Sequence, residues 1–388
     1  MKTSIRFVPL GGGQEIGASC YFLQINEGHI LLDCGKTPNG AGRPQFSCIL
    51  QPPFLESLQQ INHIFISHSH YDHMGGLVYL ASACTRGSIY TTAITKALIA
   101  YMLWDRGDSH TRTMSARQRE HEEILVDKAI RSIITEGYCR AIPLPAYQVT
   151  FYEAGHIPGA AMVHIQTADR SILYTGDFSC QPSALTSSYI VPDRVHFDTI
   201  IMCGVHAKHP SYTSTGIRRQ LRSIKKRLEA GCSIYLETSQ LTKAWEVLQV
   251  INDAMGKNTL PMVPVYIDRQ LLVLAEKMER MSIPVLKPWN RVCPCHGPGP
   301  ALWIGRKGAS SFHHLPGHVH RQKIDFSLHP TYHELKRFIL THNPKTVVLV
   351  HTGYDDEGAD NCLETELMAC AACRSQFIYA ENGEIYTL

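Results

Sequence analysis

The spacing of apolar and polar positions divides the chain into a strand-rich first half and a strand–helix–strand second half. Residues 5–9 predict a short strand running into Gly11-Gly12-Gly13. Residues 20–24 and 29–34 predict two more, joined at Glu27-Gly28. Residues 61–67 form a β-branched apolar run, a buried strand that ends directly in a histidine cluster. Helices are predicted at 92–103 and 116–134, and strands at 147–153, 162–166 and 171–174. Beyond Cys203 the character changes. Residues 214–230 predict a basic helix carrying Arg218, Arg219, Arg222, Lys225, Lys226 and Arg227. Strands at 233–236, 263–267 and 284–287 alternate with helices at 242–255 and 270–281, the pattern of a small parallel α/β unit. Residues 291–322, rich in Cys, His, Gly and Pro, read as irregular. A helix at 332–341, a buried strand at 346–350, a helix at 364–374 and a hairpin around Glu381-Asn382-Gly383 close the chain.

Composition narrows the class. With 388 residues, 44% hydrophobic and 18% charged, the chain is globular and long enough to bury a core without disulfide staples. A net charge of +3 is too balanced to announce a nucleic-acid coat and leaves room for a local basic groove. Thirteen cysteines without regular spacing suggest reduced thiols, hence a cytoplasmic setting. The N-terminus lacks a signal-peptide pattern, and no apolar run is long enough to cross a bilayer, so no membrane partner is expected. The 21 histidines are the oddity that draws attention to metal chemistry.

That chemistry is concentrated in Ser67-His68-Ser69-His70-Tyr71-Asp72-His73. Four potential ligands fall within six residues at a strand end, and imidazole with carboxylate suits zinc or a similar divalent ion. Single candidates follow later apolar runs: His156 in Gly155-His156-Ile157-Pro158-Gly159, Asp177 in Gly176-Asp177, and His351 in Val350-His351-Thr352-Gly353. Cys293-Pro294-Cys295-His296 and Cys370-Ala371-Ala372-Cys373 also invite a structural zinc, but neither has a second pair at suitable spacing.

The His-Ser-His-Tyr-Asp-His segment, with Asp33, His156, Asp177 and His351 in order, resembles the motif set of the metallo-β-lactamase fold. Pro9-Leu10-Gly11-Gly12-Gly13-Gln14-Glu15-Ile16-Gly17-Ala18-Ser19-Cys20 further resembles the opening of the β-CASP nucleases, a group that includes ribonuclease J and the endonuclease of mRNA 3′-end cleavage. The resemblance runs from end to end. It implies an α+β class: an αββα sandwich from residues 1–204 and 323–388, with a short β-CASP-like insert at 205–322. It gives one metal to His68, His70 and His156, a second to Asp72, His73 and His351, and makes Asp177 the bridge. Two divalent ions are implied, zinc with manganese as the alternative, activating a hydroxide for phosphodiester cleavage. Asp33 is expected to hold a ligand histidine in its tautomer, or to be a strand-end turn residue. Motif A is matched to Glu246, motif B to His329 in Phe326-Ser327-Leu328-His329, and motif C to His351. On that match His329 donates a proton to the leaving oxygen or holds the phosphate, and Glu246 orients it. Asp72 and His329 with Glu246 make up the expected catalytic set. His329 and Glu246 each have a plainer counterpart, a helix N-terminal histidine and a solvated glutamate.

The chain also departs from the family pattern. Where an acidic Glu-Ser/Thr-Thr-Tyr-Gly-like segment is usual, it has Met202-Cys203-Gly204-Val205-His206. The expected substrate is single-stranded RNA, with DNA as the alternative. It would lie in a slot lined by Ser327 and roofed by Arg218, Arg222 and Lys226. The same basic helix can equally be a solvated face. A homodimer or a processing complex is the expected assembly. Two other functions stay open: a small-molecule lactonase or thioesterase, and a non-catalytic RNA-binding scaffold.

Overall fold

The computed structural model describes residues 3–37, 44–83, 87–104, 115–212, 217–292, 299–307, 312, 315, 318–352 and 362–388. The chain divides into two units. The first holds Met1–Pro182, Thr186–Tyr212 and Leu328–Leu388; the second holds Ser183–Leu185 and Thr213–Ser327. The division thus falls after Tyr212 and Ser327, where the sequence suggested residues 204 and 322. Segment 205–212 stays with the first unit because Val205 and Ala207 pack into its core.

Two seven-stranded sheets build the first unit. One contains β1 (Ile5–Gly11), β2 (Cys20–Ile25), β3 (Gly28–Leu32), β4 (His63–Phe65), β5 (Ser88–Thr91) and β6 (Ile133–Thr135), with β19 (Tyr386–Thr387) beside β1. The other runs β18 (Gln376–Tyr379), β17 (Thr346–Val350), β11 (Thr199–Cys203), β10 (Ser171–Tyr174), β9 (Ala161–Gln166), β8 (Gln148–Glu153), β7 (Ala141–Pro143). Period-two alternation explains the layering. Phe7, Tyr21, Leu23, Phe65, Phe151, Tyr174 and Val348 share the core between the sheets. Their neighbours Val8, Phe22 and Ile64 face outward, packing with Leu77, Ile99, Leu103 and Val126 of the helices at 77–82, 93–104 and 116–132. On the far side Met202, Val347 and Leu349 meet Leu335, Phe338, Ile339 and Leu363 of the helices Tyr332–His342 and Cys362–Met368. The result is the αββα sandwich expected from the motifs.

The second unit has a five-stranded, all-parallel sheet. Its order is β14 (Asn290–Val292), β13 (Val265–Ile267), β15 (Leu302–Arg306), β12 (Ile234–Thr238), β16 (His320–Lys323). Trp303 stacks on Tyr266 at 5.3 Å over one face. Helices Ile217–Glu229, Leu241–Gly256 and Arg269–Glu279 belong to this unit.

Four local expectations are corrected. The strand expected at 284–287 forms instead at Asn290–Val292. The amides of Leu286 and Lys287 are taken by the side chains of Glu279 and Asn290, so they cannot join a ladder. The stretch read as irregular contributes β15 and β16. The terminal hairpin does not form: β18 lies parallel to β17, and β19 lies antiparallel to β1 in the other sheet. The Glu381-Asn382-Gly383 turn carries the chain across, held by Gly383 N donating to Pro9 O at 2.8 Å. The last helix also stops at Met368, which leaves Cys370 and Cys373 in the turn that follows. Among the described residues, no helix is long and apolar enough to cross a membrane.

Candidate metal centre

Strands β3, β4, β8, β10 and β17 each end just before one of the candidate residues. Asp33 follows β3, His68 and His70 follow β4, His156 follows β8, Asp177 follows β10 and His351 follows β17. Parallel register between β3 and β4, and among β10, β11 and β17, brings these ends to shared sheet edges. Asp33, His156 and His351 leave their strands with φ of 60°, 51° and 56°. Left-handed backbone is uncommon for residues other than glycine and clusters at functional sites. Gly35 lets the chain pass close to the Asp72 carbonyl, since a Cβ there would stand 1.7 Å from that oxygen.

Among the described residues, ligand atoms converge in three groups, each with its atoms within 4.8 Å of one another: His68, His70, His156 and Asp177; Asp72, His73 and His351; and Asp177, Cys203 and His329. In the first, His70 Nδ1 lies 3.1 Å from His68 Nε2 and 3.2 Å from His156 Nε2. Neighbouring bonds fix which nitrogens carry lone pairs. His156 Nδ1–H donates to Leu328 O at 3.3 Å, which leaves Nε2 as its acceptor. Ser67 Oγ donates to Asp33 Oδ2 at 2.7 Å and lies 3.0 Å from His68 Nδ1, so that nitrogen donates and Nε2 again faces inward bare. Burial pushes the pKa of all three imidazoles down, keeping them neutral as metal ligation requires. Lone pairs this close repel unless a cation lies between them. A tetrahedral ion with bonds of about 2.1 Å would separate its nitrogens by roughly 3.4 Å. Among the described residues buried Asp177 Oδ1 has no hydrogen-bond partner, while Oδ2 stands 3.4 Å from His73 Nε2 and 3.7–3.8 Å from His68 and His156 Nε2. These donors fit a divalent ion.

His73 differs from the other three. Burial lowers its pKa, but Asp177 and Asp33 outweigh burial and hold it well above the usual range. Its Nδ1–H donates to Asp33 Oδ2 at 2.7 Å. Asp33 Oδ2 also accepts from Tyr174 OH at 2.6 Å, and Oδ1 accepts from Ser67 N at 2.7 Å. Asp33 is therefore both a strand-end turn residue and a buried anchor for the ligand loop. Burial would raise Asp177, yet His73, His329 and His351 hold its carboxyl well below the usual carboxylate range.

Two residues without a role in the sequence reading stand at this centre. Ser19 Oγ lies 3.0 Å from His351 Nδ1 and 3.4 Å from His73 Nε2. Cys203 Sγ lies 3.6 Å from His329 Nδ1. Ser19 sits in the glycine-rich opening motif, which was the signal that could have found it. Cys203 lies in the segment that departs from the family pattern. His329 itself reaches the centre, with Nε2 3.8 Å from Asp177 Oδ2 and its ring 4.8 Å from that of His156.

Glu246, Arg218, Arg222, Lys226 and Ser327 belong to the second unit. There Glu246 is buried and its carboxylate accepts from Ser183 Oγ at 3.0 Å and from Ala184 N. Burial raises its pKa against these bonds. Arg218, Arg222 and Lys226 form an exposed helix face, with Ile217, Ile224 and Leu228 turned into the core. Ser327 is half-buried. Cys293, Cys295 and His296 lie outside the described residues, and Cys370 and Cys373 join none of the ligand groups found among the described residues.

An αββα sandwich with histidine–aspartate groups at its strand ends is the metallo-β-lactamase architecture, and its buried donor set suits a divalent metal. The family described as "Anti-Pycsar protein Apyc1" matches residues 7–218, over half of the chain, and the chain belongs to it. Transcription termination factor FttA of Methanothermobacter thermautotrophicus is 29% identical over 276 residues, which cover 68% of this chain and 42% of FttA. Endoribonuclease ysh-1 of Neurospora crassa is 29% identical over 262 residues, covering 66% of this chain and 30% of ysh-1. The chain therefore matches less than half the length of either relative. A protein of unknown function from Enterococcus faecalis shares the fold over the full length of both chains, with a TM-score of 0.63 and 14% identity.

Proposed function

We propose that the protein is a metal-dependent phosphodiesterase that cleaves single-stranded RNA. The observation that carries this reading is the pair of ligand groups, His68/His70/His156/Asp177 and Asp72/His73/His351, with His329 beside them. In this reading His68, His70, His156, Asp72, His73, His351 and Asp177 would hold two divalent ions, zinc before manganese. When bound, such a pair supplies Lewis acidity that activates water and neutralises phosphate charge. The chain's own residues do the rest. Asp33 holds His73 directly and His68 through Ser67. His329 supplies a hydrogen bond or proton to the phosphate oxygens on the departing side. Exposed Arg218, Arg222 and Lys226, with Ser327, contact the RNA backbone.

RNA is favoured as substrate because the name of ysh-1 is that of an endoribonuclease and FttA acts in transcription termination. Single-stranded DNA is a lesser substrate. The site of action is the cytoplasm, and the assembly a homodimer or processing complex. The test is a substrate panel: single-stranded RNA and DNA, duplex RNA, a lactone and a thioester, at several salt concentrations. Chelator-sensitive RNA cleavage that weakens with salt is expected, because each phosphate contact releases counterions. Salt-insensitive hydrolysis of the small esters, with every nucleic acid untouched, would replace this reading with that of a small-molecule hydrolase.

A further inference from the structure

We propose that His206, His209 and Tyr212 form a row of aromatic rings beside the metal centre, and that a base adjoining the scissile phosphate of single-stranded RNA stacks on the His206–Tyr212 pair. The inference deepens the phosphodiesterase reading and rests on it for the identity of the substrate.

The row has a cause in the backbone. After β11 the chain continues in three-residue steps. Ala207 N donates to Gly204 O at 2.9 Å, His209 N to His206 O at 3.1 Å and Tyr212 N to His209 O at 3.0 Å. Bonds that run from residue i+3 back to residue i bring side chains three apart onto one side. His206, His209 and Tyr212 keep that spacing. The segment is also anchored. Val205 and Ala207 pack in the core that holds Met202, Val347 and Leu349, and Gly204 N donates to Val350 O at 2.8 Å. The rings are therefore carried on backbone fixed to the sandwich, in the stretch where the chain leaves the family pattern.

His206 and Tyr212 lie face to face, with ring centroids 3.9 Å apart and planes 13° from parallel. His209 meets His206 at 6.5 Å and 69°. On the side of the metal centre, the His206 ring lies 6.4 Å from that of His329, and the His329 ring lies 4.8 Å from that of His156. One imidazole thus separates the stacked pair from the first ligand group. His206 and Tyr212 are half-buried and His209 is exposed. All of these residues belong to the first unit, so the arrangement is complete within it.

Two parallel rings already in contact, and partly open to solvent, make a surface on which a third plane can add. Single-stranded RNA supplies such planes, because its unpaired bases can splay away from the backbone. Every base has a π face, so stacking holds a nucleotide without demanding a sequence. A phosphate lodged between the ligand groups and His329 can turn a neighbouring base towards His206 and Tyr212. Simple esters and thioesters need carry no such plane, so the row favours a nucleotide substrate over them.

The experiment measures cleavage kinetics of zinc-loaded protein on a short single-stranded RNA, and on the same RNA with single abasic residues flanking the cleaved bond. Wild type, His206→Leu, Tyr212→Leu and His206→Tyr are compared, each with its metal content. The leucine variants should keep their metal and raise KM for intact RNA by about tenfold, the scale of one lost base stack. Their kcat should stay within about twofold, because stacking holds substrate and transition state alike. Wild type should suffer a similar loss when the stacked base is removed. The leucine variants should lose nothing further on that abasic RNA, since both changes delete one contact. His206→Tyr should recover most of the affinity. Additive losses overturn the proposal, as does a wild type that treats intact and abasic RNA alike. That last comparison decides the matter even if the leucine variants fail to fold. RNA bound more tightly than its abasic forms but never cleaved would remove the phosphodiesterase reading and leave the stacking row standing. RNA neither bound nor cleaved would remove both.

Discussion

Replacing Asp33 by Asn keeps the shape of the side chain and alters only which of its atoms can accept. Asp33 Oδ1 accepts from a backbone amide, Ser67 N, which cannot reorient. The Asn carbonyl must therefore occupy that side, and its NH2 must face Ser67 Oγ, Tyr174 OH and His73 Nδ1. The two hydroxyls can rotate to accept. His73 cannot keep Nδ1–H against an NH2 group, so its ring must change tautomer or leave the contact. Either change spoils Nε2 as a ligand. With Ser67 Oγ now accepting from the Asn NH2, the Ser67–His68 contact is disturbed as well. The loss of orienting partners at a ligand histidine typically costs about 10–100-fold in metal affinity. Exchanging charge-assisted bonds for neutral ones, with one buried N–H poorly met, costs about 2–4 kcal/mol of metal-free stability. Urea denaturation of chelator-treated protein measures the second quantity, and competition for metal against a chromophoric chelator measures the first. Affinity within about twofold of wild type, well short of that range, would refute the orienting role of Asp33, whatever happened to stability.

His329→Ala should keep its full metal content while RNA cleavage slows by about 10²–10⁴-fold, checked by elemental analysis alongside single-turnover kinetics. Changing Arg218, Arg222 and Lys226 together to Gln should leave cleavage of a dinucleotide intact and flatten the salt dependence of RNA binding by up to about two units of slope. His164 provides a pH test away from the centre. Burial holds its pKa at about 4 in the folded chain, against roughly 6.5 when unfolded, so the unfolded state takes the proton first as pH falls. Its contribution is complete above pH ~6.5 and is lost as pH drops towards 4, by at most about 3 kcal/mol. His164→Phe, in the niche between Tyr152 and Phe197, should flatten the stability profile in that window, as read by urea denaturation at several pH values.

The ligand set was legible because its spacing is local. His68, His70, Asp72 and His73 lie within a short stretch of chain, and each later candidate follows an apolar strand. The β-sandwich was legible for the same reason, since strands such as β2 and β17 are buried on both faces and read as continuous apolar runs. What the sequence could not supply was side-chain company across the fold. Glu246 matched a motif by its neighbours, yet its carboxylate is taken up by Ser183 and Ala184. Cys203 and Ser19 are small residues whose contacts arise only when strand ends separated in sequence are packed side by side. The Asn382-Gly383 turn carried a hairpin signature, but Asn382 Oδ1 accepts from Gly13 N and its Nδ2 donates to Glu15 Oε1. Those contacts carry the chain from one sheet to the other. β15 was hidden by its setting: Leu302-Trp303-Ile304 is a short apolar core within a stretch crowded with glycine, proline and histidine.

The most direct test of the central claim uses one 5′-labelled and one 3′-labelled single-stranded RNA with wild type and Asp177→Asn. Asp177 belongs to the first and third ligand groups and stands 3.4 Å from His73 of the second, so its loss should abolish turnover without removing the exposed basic helix. The account predicts a ladder of products ending in 5′-phosphate and 3′-hydroxyl for wild type, erased by chelator and absent for Asp177→Asn. A ladder of equal intensity from Asp177→Asn, or from chelator-treated wild type, would contradict it.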